Sequence, residues 1–420
     1  MYYQRTLPNG IRVVGQQIEG FHSVSVGIWT RTGSANELGE KERGITHFIE
    51  HMLFKGTQRR TAQQIAAEMD GMGGILNAFT SKECTCYHAR VSGEKLAEAY
   101  DILSDIVLHA TLNEQEMERE KGVVLEEINM SEDMPEDLVH ELLAQAYFGD
   151  HALALPILGN KQSVSSFTRE DLLDYMHRRY VPQTMVVAAA GGFDFEMLCD
   201  MVERTLGQMP RSDHDLPDYP AFTPHSGRVV LREKPIEQAH LCMATPAFAL
   251  GDDRIFALSV LNNAFGGGMS SRLFQKIREE RGLAYDVYSH PSSYLQCGAF
   301  TIYTGINAAH TESVIELVLQ EMEEVKRNGL SKEEFTRAKD QLKGNYVLGL
   351  ESTSSRMNAL GKAMTMQGEL RTAEQMLEGI EKVDMDAVAA ILPTVFDLDR
   401  LSISAVGNIR PDAIRKAVGK

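Results

Sequence analysis

The richest chemistry in the chain lies in five consecutive residues, His47-Phe48-Ile49-Glu50-His51. On a helix, side chains four residues apart stack on one face, so His47 and His51 can aim two imidazoles at one metal ion. Glu50 stands beside His51 near that face, where a carboxylate can take a proton from a metal-activated water without being a ligand itself. A hydrolytic zinc site needs a third protein ligand and one open position. The acidic stretch from Glu114 to Met130 offers that ligand, because Glu120 and Glu127 lie two helical turns apart and share a face. Glu127 is assigned as the ligand, and Glu120 as a group accepting a hydrogen bond from a ligand histidine. The same pattern arising by chance would form a solvated helix face. Phe48 and Ile49, between the polar positions, instead imply a partly buried helix, where unpartnered histidines and a carboxylate would be costly.

These residues need elements to position them. Ile11 to Val14, Ser23 to Trp29, Ile75 to Thr80 and Thr85 to Val91 have strand-like patterns, as do Arg228 to Arg232, Leu241 to Thr245 and Gly298 to Thr304. Leu96 to Leu108 and Val314 to Val325 have apolar residues at helical spacing. The expected fold class is α+β: two homologous domains, each a mostly antiparallel β-sheet with helices packed on one face. A proline-rich stretch over 209–226 reads as a linker between an N-terminal zinc-binding domain, 1–208, and a C-terminal homologous domain, 227–420.

Homology between the halves rests on an offset of 218 residues, at which Leu112 to Lys121 resembles Leu330 to Lys339. Both copies open with a helix-start signal, Asn113 or Ser331 followed three residues later by Glu116 or Glu334. At that offset His47, Glu50 and His51 fall on Phe265, Gly268 and Met269, and Glu127 on Asn345. The second half therefore lacks the ligands, and one zinc ion per chain is expected.

Composition narrows the partners. With 42 Lys and Arg against 59 Asp and Glu, the net charge of −17 disfavours binding to nucleic acid or anionic lipid. The longest apolar run, Met185 to Phe193, is about half of what spans a bilayer, so no membrane partner is expected. Five cysteines, an odd number, and a first ten residues without a secretory pattern suggest a reducing, cytoplasmic location. Cys84 and Cys86 share a strand face and could form a thiol pair, with His88 nearby, but strand packing is the simpler reading. Gly266 to Gly268 lacks the residues that complete a phosphate loop.

Beyond these residues, the sequence resembles the inverzincin metallopeptidases, the family of pitrilysin, insulysin and the mitochondrial processing peptidases, in its half-length, two-domain bacterial form. Gly44 to Thr57 is similar to the family's active-site helix and exit loop, Asn77 to Glu83 to its substrate-binding strand, and Gly122 to Glu127 to its distal zinc segment. The last match favours Glu127 over Glu126, and Glu120 falls on the family's supporting acidic position. Leu7 to Gly10 and Gly266 to Phe274 also fit, so the likeness spans nearly the whole chain. The resemblance implies a zinc endopeptidase in which Asn77, Ala78 and Phe79 align the substrate, and in which Arg278 and Tyr285, seven residues apart, complete the catalytic chamber. Four such domains enclose that chamber in the family, so this chain is expected to pair, as a homodimer or with a homologue. The glycines before Ile75 suggest an open sheet edge to which an extended, unfolded peptide adds as a strand, basic peptides being favoured by the acidic balance. The alternative function is a peptide-binding or scaffold subunit that needs a different subunit for activity.

Overall fold

The computed structural model describes residues 1–420 with the exception of 213–218, 226, 410, 413 and 415–420. In chain order the first half contains β1 (Tyr2–Thr6), β2 (Arg12–Gln17), β3 (Ser23–Thr30), α1 (Ile45–Leu53), α2 (Ala62–Gly71), β4 (Ile75–Thr80) and β5 (Thr85–Ser92). It continues with α3 (Leu96–His109), α4 (Glu114–Asp133), α5 (Pro135–Phe148), α6 (Lys161–Ser166), α7 (Arg169–Arg179), β6 (Met185–Gly191) and α8 (Phe195–Arg204). The second half contains β7 (Val229–Glu233), β8 (Gln238–Ala247), α9 (Arg254–Phe265), β9 (Ala284–Ser293), β10 (Gly298–Asn307) and α10 (Thr311–Asn328). It ends with α11 (Lys332–Gly349), α12 (Thr353–Gln367), α13 (Ala373–Glu381), α14 (Met385–Val395) and β11 (Ser402–Gly407).

Two compact units result. One comprises residues 1–129, 155–219 and 348–372; the other comprises 130–154, 220–347 and 373–420. The first has a six-stranded sheet in the order β1-β2-β6-β3-β5-β4, the second a five-stranded sheet in the order β7-β11-β8-β10-β9. Only β2 with β6 and β7 with β11 run parallel. After β1, the two orders repeat the same sequence of pairings, one parallel and then three antiparallel.

The expected α+β architecture is thus present, with helices on one face of each sheet. A further helix covers part of the other face, and in each unit it comes from the opposite half of the sequence. In the first unit Gly361 of α12 lies against Trp29 of β3, with no room for a Cβ, and the Ser25 hydroxyl bonds Thr353 Oγ1 at 2.9 Å. In the second unit the hydroxyls of Ser402 and Ser404 on β11 donate to the carbonyls of Ala146 and Val139 on α5. Domains cut at 1–208 and 227–420 therefore differ from these units, because 130–154 and 348–372 change sides. The expected linker, 209–226, contains no helix or strand among its described residues, and its positions 213–218 and 226 lie outside them.

The register of the repeat also varies. Helices α4 and α11 begin 218 residues apart, as do α5 and α12, whereas β4 and β9 begin 209 apart. A uniform offset therefore misplaces α1, whose topological counterpart is α9. Phe265 ends that helix, and Gly268 and Met269 follow it.

Candidate metal centre

Helix α1 is short but firmly seated. Ile45, Phe48, Ile49, Met52 and Leu53 recur at helical spacing and are all at most 1% exposed. Full burial of such side chains contributes roughly 1.5–3 kcal/mol each before ordering entropy is subtracted. Gly44 begins the helix with φ +84°, and a Cβ there would strike the backbone of Leu158 and Gly159. No side chain at that position caps the helix. The buried carboxylate of Glu37 does so from a distance, accepting from Gly44 N at 2.8 Å and Thr46 N at 3.1 Å. Burial pushes the Glu37 carboxyl up to about 8, against the lowering effect of those two bonds.

Helix α4 brings the acidic groups. Asn113 Oδ1 accepts from the amides of Gln115 and Glu116 at its start. Met117, Glu120, Val124 and Ile128 form its buried face, which places one carboxyl among apolar neighbours. Glu120 is satisfied there by two cationic or donor groups of α1 and its exit: His51 Nδ1–H donates to Oε1 at 2.8 Å, and Lys55 Nζ pairs with Oε2 at 2.6 Å. Burial opposes ionisation of Glu120, but those partners together hold it below the usual carboxylate range.

The Glu120 bond fixes the tautomer of His51 and leaves Nε2 as a bare acceptor. Glu127 Oε2 lies 3.6 Å from His51 Nε2 and 3.7 Å from His47 Nε2, and it makes no hydrogen bond in the protein although the atom is buried. Tetrahedral ligands about 2.0–2.2 Å from a zinc ion stand about 3.3–3.6 Å from one another. Three acceptor atoms converging at nearly that spacing, one of them an orphaned carboxylate oxygen, suit a divalent cation. Among the described residues, His47, His51 and Glu127 are the one such group of histidine, cysteine or acidic side chains. Burial first, then the neighbouring His51, depresses the His47 imidazole to about 3, so it stays neutral and able to ligate. Burial also lowers the His51 imidazole, but the Glu120 bond and the charges of Glu127, Glu120 and Glu50 raise it overall.

Glu50 lies on the same helix, outside the converging set. Thr80 Oγ1 of β4 donates to its Oε2 at 2.5 Å. Burial raises the Glu50 carboxyl above its ordinary value, the charge of Glu127 adds to this, and Thr80 and His51 work against it. A more basic carboxylate beside a metal-competent cluster is poised to move a proton. Thr80 and Lys55 escaped the reading from sequence. The four-residue step from His51 to Lys55 was a usable signal, whereas nothing in the sequence ties Thr80 or the capping Glu37 to α1.

Strand β4 forms an edge of its sheet, hydrogen-bonded only to β5. Asn77 is exposed on it, Ala78 and Phe79 are half-buried, and Phe79 packs edge-on against Trp29. Arg278 and Tyr285 belong to the second unit. The guanidinium of Arg278 lies over the rings of Phe274 and Tyr285, 4.7 and 5.2 Å from their centroids, and the Tyr285 side chain is 76% exposed. The structure brings these two together, and the metal-competent group forms in the first unit without them. All five cysteines are free and buried, and burial raises the Cys84 and Cys86 thiols, so neither is a ready nucleophile.

Family models for "Insulinase (Peptidase family M16)" and "Peptidase M16 inactive domain" match residues 12–161 and 166–342. An uncharacterized zinc protease of Bacillus subtilis is 40% identical over 97% of this chain and 100% of its own length. The chain belongs to peptidase family M16. An uncharacterized zinc protease of Streptomyces coelicolor is 39% identical over 96% of this chain and 89% of its own. The fold is shared with a peptidase M16 inactive domain from Pseudomonas fluorescens, at TM-score 0.91 and 20% identity over 98% of both chains. A protease from Helicobacter pylori matches at TM-score 0.89 and 20% identity over 97% of this chain and 99% of its own. The family thus agrees with the resemblance carried by the sequence motifs, and its zinc-protease relatives agree with a metal-competent site. No helix among the described residues is long and apolar enough to cross a membrane.

Proposed function

We propose that this protein is a zinc-dependent endopeptidase that cuts unfolded or flexible peptides at the His47, His51 and Glu127 centre. The observation that carries the reading is the convergence of two imidazole nitrogens on the orphaned Glu127 oxygen, with Glu50 held beside them. Zinc, when bound there, supplies Lewis acidity that polarises the scissile carbonyl and lowers the pKa of water. Glu50 takes the proton from the attacking water and returns it to the departing amine. Thr80 holds one oxygen of Glu50, so the other faces the reaction in a fixed orientation. Glu120 keeps the His51 tautomer, and Lys55 keeps Glu120 ionised in its buried position.

The open edge of β4 receives the peptide as an added strand, with Asn77, Ala78 and Phe79 along it. Main-chain pairing is indifferent to side chains, so flexible peptides of varied sequence are the substrates, and the chain's net charge of −17 favours basic ones. Two copies of the chain enclose the chamber, to which Arg278 contributes a guanidinium for a peptide carbonyl or acidic group and Tyr285 a phenol for the developing oxyanion.

The test is hydrolysis of a quenched, unstructured peptide by the purified protein, with metal content measured before chelation, after it and after zinc is restored. Activity that follows stoichiometric zinc supports the reading. Activity that persists in metal-free protein overturns it, and zinc binding without hydrolysis favours a peptide-binding subunit that needs a different partner.

A further inference from the structure

The start of β4 carries a second feature that the metal centre does not use. A pocket of about 410 Å³ opens there, lined among others by His22, Ser23, Ile75, Arg90 and Ser92. Ile75, Asn77 and Phe79 alternate onto one face of β4, and Arg90 of β5 is the register partner of Ile75, so the pocket continues the line of the substrate strand. Ile75 is 59% exposed. Arg90 is also exposed and, among the described residues, has no hydrogen bond or ion pair. Arg5, Arg59, Arg60 and Arg178 in the same unit are all tied to carboxylates. An unpaired guanidinium next to an exposed aliphatic side chain, in a chain with an excess of acidic groups, is complementary to an anionic group on a peptide.

We infer that this pocket binds a carboxylate of the substrate peptide through Arg90, setting where the peptide is cut. The inference rests on the peptidase reading and on β4 as the strand that receives the peptide. From Thr80, which holds Glu50, to Ile75 is five residues of strand, about 17 Å at roughly 3.4 Å per residue. An added strand pairs somewhat more stably antiparallel than parallel, so the peptide's C-terminal direction runs from Thr80 towards Ile75. The carboxylate therefore lies about five residues beyond the cleaved bond on its C-terminal side. Either the chain terminus or an Asp or Glu side chain supplies it.

Four quenched peptides with a common cleavage site separate these sources. One pair ends five residues beyond the cut as free acid or amide; the other continues into a neutral, amidated tail with Glu or Gln at the fifth position. With the zinc-loaded enzyme, the carboxylate member of at least one pair should show a kcat/KM about fourfold above its neutral twin, as expected for an exposed ion pair. That ratio should fall towards one in about 1 M salt. It should also fall towards one in Arg90→Ala and below one in Arg90→Glu. The pair showing the preference identifies the source. Equal kcat/KM within both pairs, or a preference that survives Arg90→Ala, overturns the inference. If no peptide is cut, the peptidase reading fails separately, and fluorescent versions of the peptides are titrated onto Glu50→Gln protein. Tighter binding of the carboxylate peptides that requires Arg90 upholds the pocket, and equal binding overturns it.

Discussion

The two halves of the chain make the same connections with different chemistry. In the first, α1 reaches β4 through the Glu50–Thr80 bond and reaches α4 through the His51–Glu120 bond. In the second, α9 reaches β9 through Asn262, which accepts from Ser289 Oγ at 2.8 Å, and reaches α11 through Asn263, which donates to the Ala338 carbonyl at 3.2 Å. Ala338 stands 218 residues after Glu120, and Asn345 the same distance after Glu127. Neutral amides thus hold the second scaffold together where charged and metal-competent groups hold the first. The cross-links belong to the fold, whereas the convergence of unpaired acceptors belongs to one copy only. That asymmetry is what marks the first site as functional, since neutral partners suffice to link the same elements.

Copying the second half into the first should break the asymmetry most severely. Glu127→Asn, which reproduces Asn345, is expected to abolish stoichiometric zinc and with it all turnover, with an unchanged circular dichroism spectrum; metal analysis of purified protein checks this. Glu50→Gln should keep the zinc and lower kcat by about 10²–10⁴, the usual contribution of a positioned acid–base group. Near-normal turnover in that variant would refute the base assignment.

Smaller losses should follow from the supporting bonds. Glu120→Gln weakens the hold on the His51 tautomer and should reduce zinc affinity by about 10–100-fold in a chelator competition. Thr80→Val should lower kcat by about tenfold, on the order of one lost hydrogen bond to a charged group. Because Thr80 lowers the Glu50 carboxyl, its removal should also move the acidic limb of the kcat profile to higher pH. Asn263→Ala, in the second half, should leave turnover per bound zinc unchanged and cost about 1 kcal/mol in a denaturant melt. A comparable loss of zinc or rate from that change would mean that the halves are not functionally distinct.

Much of this was open to reading from sequence because it is local. The burial of Phe48 and Ile49, the facing of His47 and His51 and the two-turn step from Glu120 to Glu127 all follow from helical geometry. The strand at Ile75–Thr80 was legible from its residue types and the glycines before it, and its exposed edge agrees with them. What stayed hidden depends on distant partners. Thr80 could satisfy Glu50 only once β4 was laid beside α1, and the Glu37 cap comes from a loop with no helix-start pattern. The constant offset failed at α9 because the segment between β8 and α10 has a different length from that between β3 and α3. Nor could an apolar helix face declare which sheet it meets, and so α5 and α12 looked like parts of their own halves.

The placement of α12 also bears on how the protein is made. The sheet that carries the metal centre leaves Ser25 and Trp29 without their covering helix until residues 353–367 have been synthesised. A chain emerging from the ribosome therefore cannot complete its first unit at its first half, as an autonomous N-terminal domain would. It must wait, with that face uncovered, for more than four-fifths of the polypeptide to be made. Maturation of the metal centre is thereby tied to near-complete translation, and a truncated product would hold the ligands on an unfinished sheet.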